Sequence, residues 1–263
     1  MKNRGIIVMI VAVVMLLLVA PLKASKKSLC VPKSERRQVS FAHHLKIDGP
    51  FTVEMTGAVE PGVVFIEGDS LFLPFVETEV YDNTLHIKVA DNKPKKVQQM
   101  IPVKIRINFD WLSMNLSSGV SATCDDMLQV GDMQIELTKG SVLTTNLMCA
   151  TLKINCSSNS SFSGHLETDF LDLSIEDRSS FVSSGQCQKL LLYCSNYSSF
   201  SAPKFICIHA YVQTYSYSYV DINCVEHLEV AANNGAVVNS YNSYAGLTLT
   251  GETLPESVRF VKE

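Results

Sequence analysis

One asparagine, one arginine and two tyrosines recur at nearly equal spacing in this chain and could together bind a ligand. They are Asn159, Arg178, Tyr197 and Tyr217, separated by 19, 19 and 20 residues. Tyrosine rings offer stacking surfaces and hydroxyl groups, and a guanidinium offers paired donors to a carboxylate. Placed in one column, these side chains would form a strip suited to a sugar or to another protein. Alternatively, the tyrosines only cover the surface of the fold.

The best candidate for catalysis is the acidic pair Glu176 and Asp177 beside Arg178. Polysaccharide lyases and hydrolases need clustered carboxylates with a base nearby. No second acid is expected beside this pair, because the same positions of the neighbouring repeats hold serine or asparagine. The chain also has no nucleophile elbow, phosphate loop or metal-ligand spacing. We therefore predict no catalytic residues, no metal site and no cofactor.

The candidate residues belong to seven repeats of about 19 residues. The repeats begin at Leu112, Met133, Leu152, Leu171, Leu190, Ala210 and Leu228. Most have apolar residues at offsets 0, 2 and 4, for example Leu171, Leu173 and Ile175, which is typical of a strand with one buried face. From the second repeat on, an apolar residue returns at offset 10. These residues are Leu143, Phe162, Phe181, Phe200, Val220 and Val238.

Repeats of this kind predict an all-β fold, a single-stranded parallel β-helix in which each repeat forms one turn. About 19 residues are too few for a propeller blade, and helical periodicity is absent. Each turn would bury its apolar edge against neighbours about 4.8 Å away. Ser, Asn and Gly supply the corners, because Asn and Gly tolerate left-handed backbone. The four candidate residues share offset 7 and are expected in one column at a corner.

The segment before the repeats has a different residue pattern, with longer strand-like runs such as Leu71 to Tyr81. We interpret residues 38–111 as an N-terminal β cap that covers the first open edge of the rod. Residues 112–251 would form the repeat rungs, and the β-helix domain as a whole would span 38–251. Residues 252–263 are expected to be a C-terminal tail.

The N-terminus is typical of a signal peptide. Two basic residues precede an apolar run, residues 6–20, which is short for a membrane span but suits a signal h-region. We expect cleavage after Ala24, with residues 1–24 as the signal peptide and 25–37 as a linker. An uncleaved anchor is the alternative. The mature protein would be exported, to the periplasm or the cell surface, with no membrane span.

The charge balance excludes two classes of partner. The chain carries 22 basic and 26 acidic residues, a net charge of −4. Loss of residues 1–24 removes Lys2, Arg4 and Lys23 but no acid, which takes the net charge to −7. An acidic protein is poorly suited to nucleic acid and to anionic membranes. We expect neither as a partner.

Eight cysteines in an exported chain raise the question of a disulfide framework. Cys156 and Cys194 occupy offset 4, where other repeats have Leu or Ile, and are expected in the core. Four others lie three or four residues before a repeat start and would form a buried ladder; they are Cys149, Cys187, Cys207 and Cys224. Stacking about 5 Å apart suits neither a zinc tetrahedron nor a disulfide well. We predict free buried thiols, with a Cys187–Cys207 or Cys207–Cys224 bridge as the alternative.

Several motifs together resemble the putative auto-transporter adhesin, head GIN domain family. They are Phe41, Leu45-Lys46-Ile47-Asp48-Gly49, Phe51-Thr52-Val53 and Leu85-His86-Ile87, followed by strands that end in Ser-Gly or Ser-Ser corners. The resemblance covers about residues 38–250. The chain departs from it in the middle repeats, where Ser-Ser pairs stand two offsets further on.

The resemblance implies an exported, right-handed parallel β-helix at the cell envelope, and it brings no catalytic residues. We therefore expect a non-enzymatic protein with an adhesin-like or scaffold role. Its partner would be a glycan or another envelope protein, bound at Asn159, Arg178, Tyr197 and Tyr217. The alternative function is that of a polysaccharide-active β-helix enzyme, a lyase or a hydrolase.

Overall fold

The fold is built from β-strands, and the all-β prediction is confirmed. The computed structural model describes residues 31–242, 246–250, 253 and 255–261. The strands are β1 (Pro32–Gln38), β2 (His44–Asp48), β3 (Phe51–Met55), β4 (Val63–Asp69), β5 (Val76–Tyr81), β6 (Thr84–Val89), β7 (Val103–Ile107), β8 (Ser113–Ser117), β9 (Ser121–Gln129), β10 (Asp132–Leu137), β11 (Val142–Cys156), β12 (Ser161–Ile175), β13 (Ser180–Cys194), β14 (Ser199–Thr214), β15 (Tyr219–Ala232), β16 (Val237–Ser240), β17 (Gly246–Leu249) and β18 (Val258–Phe260). Two short 3-10 turns lie at Leu73–Phe75 and Pro255–Ser257. The expected signal peptide, residues 1–24, lies outside the described residues.

The repeats stack as a parallel β-helix, as the sequence predicts. Strands β11 to β15 each pair in parallel with the next, and the residues that face one another are 17 to 20 positions apart. The second half of each strand forms one face of the rod together with β8, β10 and β17. The first half forms another face with β9 and β16. Residues at the same offset therefore form columns along the rod.

The chain does not enter this stack in sequence order at its N-terminal end. Strand β2 pairs in parallel with both β6 and β8, and β3 with both β7 and β9, so the β2–β3 turn lies between two later turns. Strands β4 and β5 run antiparallel to β7 and β6, and β1 pairs with β4. Part of the segment expected to be a cap thus lies within the stack. Most of β1 falls in the expected linker, and β18, in the expected tail, pairs with β16.

The core of the rod is organised in apolar columns. The offset-10 column is in register, and every member is buried. Within it the ring of Phe181 stacks between those of Phe162 and Phe200, with centroid distances of 4.8 and 5.5 Å. One repeat start departs from the expected burial, because Leu112 is 48% exposed. It directly precedes β8, where its backbone N–H donates to the carbonyl of His43 and its own carbonyl accepts from the N–H of Gln134.

The seven described cysteines are free and buried, as predicted. Cys149, Thr168, Cys187, Cys207 and Cys224 follow one another in register, so the predicted ladder exists with a threonine as its second member. A separate column carries the two core cysteines at offset 4. Burial raises the pKa of Cys156 and of Cys194 to about 12, so both are neutral thiols at physiological pH. No helix in the described part of the chain is long and apolar enough to cross a membrane.

Candidate functional site

The corner that carries the candidate residues is formed by two consecutive left-handed residues in every repeat. The pairs are Ser118-Gly119, Lys139-Gly140, Ser158-Asn159, Asp177-Arg178, Asn196-Tyr197, Ser216-Tyr217 and Asn234-Gly235. The second position is glycine in the first two pairs and in the last. In the four middle pairs it holds the predicted site residues, with φ between 60° and 63°. The structure therefore brings all four together in one column.

A backbone hydrogen-bond ladder holds this column in place. The N–H of Asn159 donates to the carbonyl of Asp177 at 2.9 Å, and the N–H of Arg178 to that of Asn196 at 3.0 Å. The N–H groups of Tyr197 and Tyr217 continue the ladder, each donating to the next turn at 3.0 Å. Each site residue is thereby fixed relative to the next, at the parallel-strand spacing of about 4.8 Å.

A second ladder of buried serines lies directly behind the strip. The hydroxyl oxygen of Ser179 accepts a hydrogen bond from the N–H of Ser160 at 3.1 Å, and that of Ser198 accepts from the N–H of Ser179 at 3.2 Å. All three serines are about 1% exposed. Because their hydroxyls satisfy backbone donors inside the rod, the Ser-Ser pairs of the middle repeats support the corner.

The two tyrosine rings stack on one another. The ring centroids of Tyr197 and Tyr217 are 5.5 Å apart, and the ring planes differ by 12°. On its other side the Tyr217 ring lies against Gly235, where a Cβ atom would come within 2.7 Å of the ring carbons. Both side chains are nonetheless 63–65% exposed. The ring faces therefore point mainly along the rod, and the strip presents ring edges and hydroxyl groups rather than an open stacking platform.

The polar residues around the strip have neighbours of their own. Asn196 donates its amide N–H to Oδ1 of Asp177 at 3.0 Å, and the hydroxyl of Ser174 donates to Oε1 of Glu176 at 2.9 Å. Arg178 is exposed and forms no ion pair with any described residue. The strip thus contains an unpaired cation next to an exposed aromatic pair.

Four aromatic residues near the strip are absent from the predicted site. Tyr193 packs at 6.0 Å from Tyr215, next to the corner. Further along the same face, the Lys189 ammonium lies over the rings of Tyr211 and Phe170, at 5.1 and 5.9 Å. These residues alternate with the buried positions of β12 to β14, so their outward direction could have been read from the period of two. Their proximity could not be predicted, because they stand at different offsets of the repeat.

Another tyrosine near the corner belongs to a polar network on the other face. The amide nitrogen of Asn239 donates to the hydroxyl oxygen of Tyr219 and, at 2.9 Å, to Oδ1 of Asp221. Burial, together with a hydrogen bond to the Asp221 carboxylate, raises the pKa of Tyr219. Tyr219 is therefore held by its own face of the rod and is not part of the strip.

The described residues contain no cluster of three or more His, Cys, Asp or Glu side chains that could hold a metal ion. The histidines are scattered as well. His165 contacts Glu167 at 3.3 Å, and His209 contacts Glu226 at 3.6 Å, in two separate surface pairs.

Comparison with known proteins identifies relatives of the fold. A family model described as "Putative auto-transporter adhesin, head GIN domain" matches residues 43–243. A crystal structure of a putative adhesin from Parabacteroides merdae superimposes with a TM-score of 0.76 at 14% identity, covering 88% of this chain and 96% of the other. A putative adhesin from Parabacteroides distasonis gives 0.74 at 16% identity, covering 88% and 94%. A putative lipid binding protein from the same species gives 0.68 at 14%, covering 88% and 97%. No curated protein matches the chain.

Proposed function

This chain belongs to the putative auto-transporter adhesin, head GIN domain family, and from that premise we propose that it is an exported, non-enzymatic adhesin-like protein that binds a glycan along its corner strip. The strip consists of Asn159, Arg178, Tyr197 and Tyr217. Its ligand would lie along the rod axis and contact successive turns.

The observation that carries this proposal is the backbone conformation of the strip. A residue other than Gly, Asn or Asp pays about 1–2 kcal/mol to adopt the left-handed region. The same corner position is glycine in three other turns, so the fold accepts glycine there. Arg178, Tyr197 and Tyr217 nevertheless occupy it on three consecutive turns. Local strain that recurs where an unstrained residue would fit supports the hypothesis that these side chains bind a ligand.

The chemistry of the strip favours an acidic glycan. The Arg178 guanidinium offers paired donors without an internal ion-pair partner, which suits a sugar carboxylate. The outward edges of Tyr197 and Tyr217 offer hydroxyl groups that can both donate and accept hydrogen bonds. The chain as a whole is acidic, and the exposed Arg178 guanidinium gives the strip a local positive charge that would attract an anionic ligand.

No observation favours the enzymatic alternative. Glu176 and Asp177 are engaged with Ser174 and Asn196. In the adjacent turns their positions hold serine or asparagine, so no acid of a neighbouring turn stacks beside this pair. We infer that the acidic pair shapes the corner and takes no part in turnover.

A glycan array probed with the purified protein, run beside a reducing-end assay on the same polysaccharides, tests this function. We expect binding to carboxylate-bearing glycans and no product. The double variant Glu176→Gln and Asp177→Asn is the control, because it should leave binding unchanged. Release of reducing ends that this variant abolishes would overturn the non-enzymatic assignment. If the protein bound another protein and no glycan, the ligand would be a protein instead of a glycan.

Export forms a separate part of the proposal. It rests on the apolar run at residues 6–20, and the adhesin family supports it. N-terminal sequencing of protein recovered from the envelope fraction should begin at Ser25. Recovery of full-length protein from the cytosol would contradict export.

A further inference from the structure

The thiol ladder has a geometry that neither the adhesin role nor the core requires. Three cysteines follow one another without interruption on adjacent turns, since Cys187 is in register with Cys207 and Cys207 with Cys224. All three are buried, with at most 3% exposure. The offset-4 column differs, because Ile175 separates Cys156 from Cys194. Only the first column places sulfur atoms on neighbouring strands.

A shallow groove connects this ladder to solvent. It has a volume of about 630 Å³, and its lining includes Cys149, Thr168 and Cys187 of the ladder but not Cys207 or Cys224. The acidic residues Glu167 and Asp169 also line the groove. A small cation can therefore be attracted by these two acids and reach the Cys187 sulfur, whereas a bulky reagent meets a thiol that is 3% exposed.

The spacing of the ladder selects one kind of metal coordination. In-register side chains on parallel strands repeat at about 4.8 Å. A disulfide needs sulfurs about 2.05 Å apart, and a tetrahedral ion needs four converging ligands. An ion bound linearly by two sulfurs, with bonds of about 2.3 Å as for zinc thiolates, spans about 4.6 Å. The column matches this last arrangement.

We propose that the ladder is a binding site for a soft monovalent cation, Cu(I) or Ag(I), held linearly between the sulfurs of Cys207 and Cys224. Thiolate is the ligand that such ions prefer in proteins. Two-coordinate binding needs no third ligand, which agrees with the lack of larger ligand clusters in the described part of the chain. Cys187 is the sulfur through which the ion passes from the groove.

The binding step exchanges protons for the metal. In the metal-free protein the Cys207 thiol donates to the carbonyl of Asn223 at 3.4 Å, and the Cys224 thiol to that of His227 at 3.1 Å. Binding replaces both S–H bonds with S–metal bonds and releases two protons, so the cation and two thiols give an anionic bis-thiolate complex. The register shift between Cys207 and His209 leaves an extra residue in β15 directly after Cys224. This irregularity in the strand allows the Cys224 sulfur to move towards the ion.

Titration of the purified protein with Ag(I), and with Cu(I) held by a competing chromophoric chelator, tests the site. We expect one ion per chain, two protons released per ion by calorimetry in buffers of different ionisation enthalpy, and two sulfur neighbours by X-ray absorption. Cys207→Thr and Cys224→Thr should each weaken binding by at least about 100-fold. Threonine is the substitute because Thr168 already occupies this column.

The matched control is Cys194→Thr, since Thr214 already occupies the offset-4 column. It should bind the ion like the unmodified protein. Absence of binding, a coordination shell with nitrogen or oxygen, or equal weakening by Cys194→Thr would overturn the proposal. So would an intact mass that shows a Cys207–Cys224 disulfide in the native protein. The X-ray absorption result on the unmodified protein remains decisive even if a threonine variant folds poorly.

Discussion

The ring of Tyr197 lies over the ring of Tyr217, 5.5 Å away and 12° from parallel, while both residues hold a left-handed backbone. This pairing changes the expected mode of recognition. A strip of tyrosines seen only as a column suggests open ring faces for sugar stacking. Here one ring face covers the other, and Gly235 receives the far side of Tyr217. The outward hydroxyl groups become the contacts that matter.

The first prediction therefore concerns hydroxyl groups. Tyr197→Phe and Tyr217→Phe should each weaken binding to an array-identified glycan about 5- to 30-fold, because a lost hydrogen bond to a sugar is worth about 1–2 kcal/mol. The melting temperature should hardly change, since the ring stack is retained. If both phenylalanine variants bind normally while the alanine variants do not, ring faces rather than hydroxyls carry recognition.

The second prediction concerns backbone strain at the corner. Arg178→Gly should be more stable than Arg178→Ala by about 0.5–1 kcal/mol. Glycine relieves the left-handed strain that alanine retains, and the greater conformational entropy of glycine in the unfolded chain offsets part of this gain. Urea unfolding of the two variants measures the difference. Equal stabilities would show that the corner is unstrained and would remove the main support for a functional strip.

The third prediction concerns the aromatic ladder. Phe181→Ala should destabilise the protein by about 3–5 kcal/mol, because it opens a cavity between two stacked rings in a fully buried column. Leucine, which stands at this offset as Leu143, is the matched control and should cost clearly less. A loss below 1 kcal/mol for Phe181→Ala would be incompatible with the register described above.

The fourth prediction concerns alkaline pH. Burial raises the pKa of Cys156 and Cys194 from the ordinary 9.0 to about 12. The folded state holds these protons more tightly than the unfolded state, so their contribution to stability is complete below about pH 9 and is lost as the pH rises towards 12.

Their in-register neighbour Ile175 carries no charge that could offset this effect. The double variant Cys156→Val and Cys194→Val should therefore lose less stability between pH 9 and 11 than the unmodified protein. Parallel stability curves for the two proteins would mean that these thiols are not held neutral by burial.

Much of the fold could be predicted because the repeat fixes the register. Once Phe162, Phe181 and Phe200 are aligned at offset 10, the period of two determines which neighbours face inward. The placement of the β2–β3 turn between two later turns could not be predicted. It depends on pairing between strands distant in sequence, which share no repeat with one another.

The candidate site, like the fold, could be predicted only in part. The column of Asn159, Arg178, Tyr197 and Tyr217 follows from the common offset, and the hydrogen bonds between successive corners show this alignment in the structure. The direction of the rings does not follow from an offset, because it depends on side-chain torsions and on the space left by Gly235. Phe170 and Tyr211 were overlooked because they approach each other only through Lys189, on an intervening turn.

The most direct test of the adhesin account is a glycan array probed in parallel with the unmodified protein and with the triple variant Arg178→Gly, Tyr197→Phe and Tyr217→Phe. The variant keeps the stacked rings and a corner residue that the fold already accepts, so it should melt at or above the temperature of the unmodified protein. We predict that the unmodified protein binds carboxylate-bearing glycans and that the variant loses this binding. Retained binding by the variant, or no glycan binding by either protein, would contradict the assignment of the strip as a ligand site.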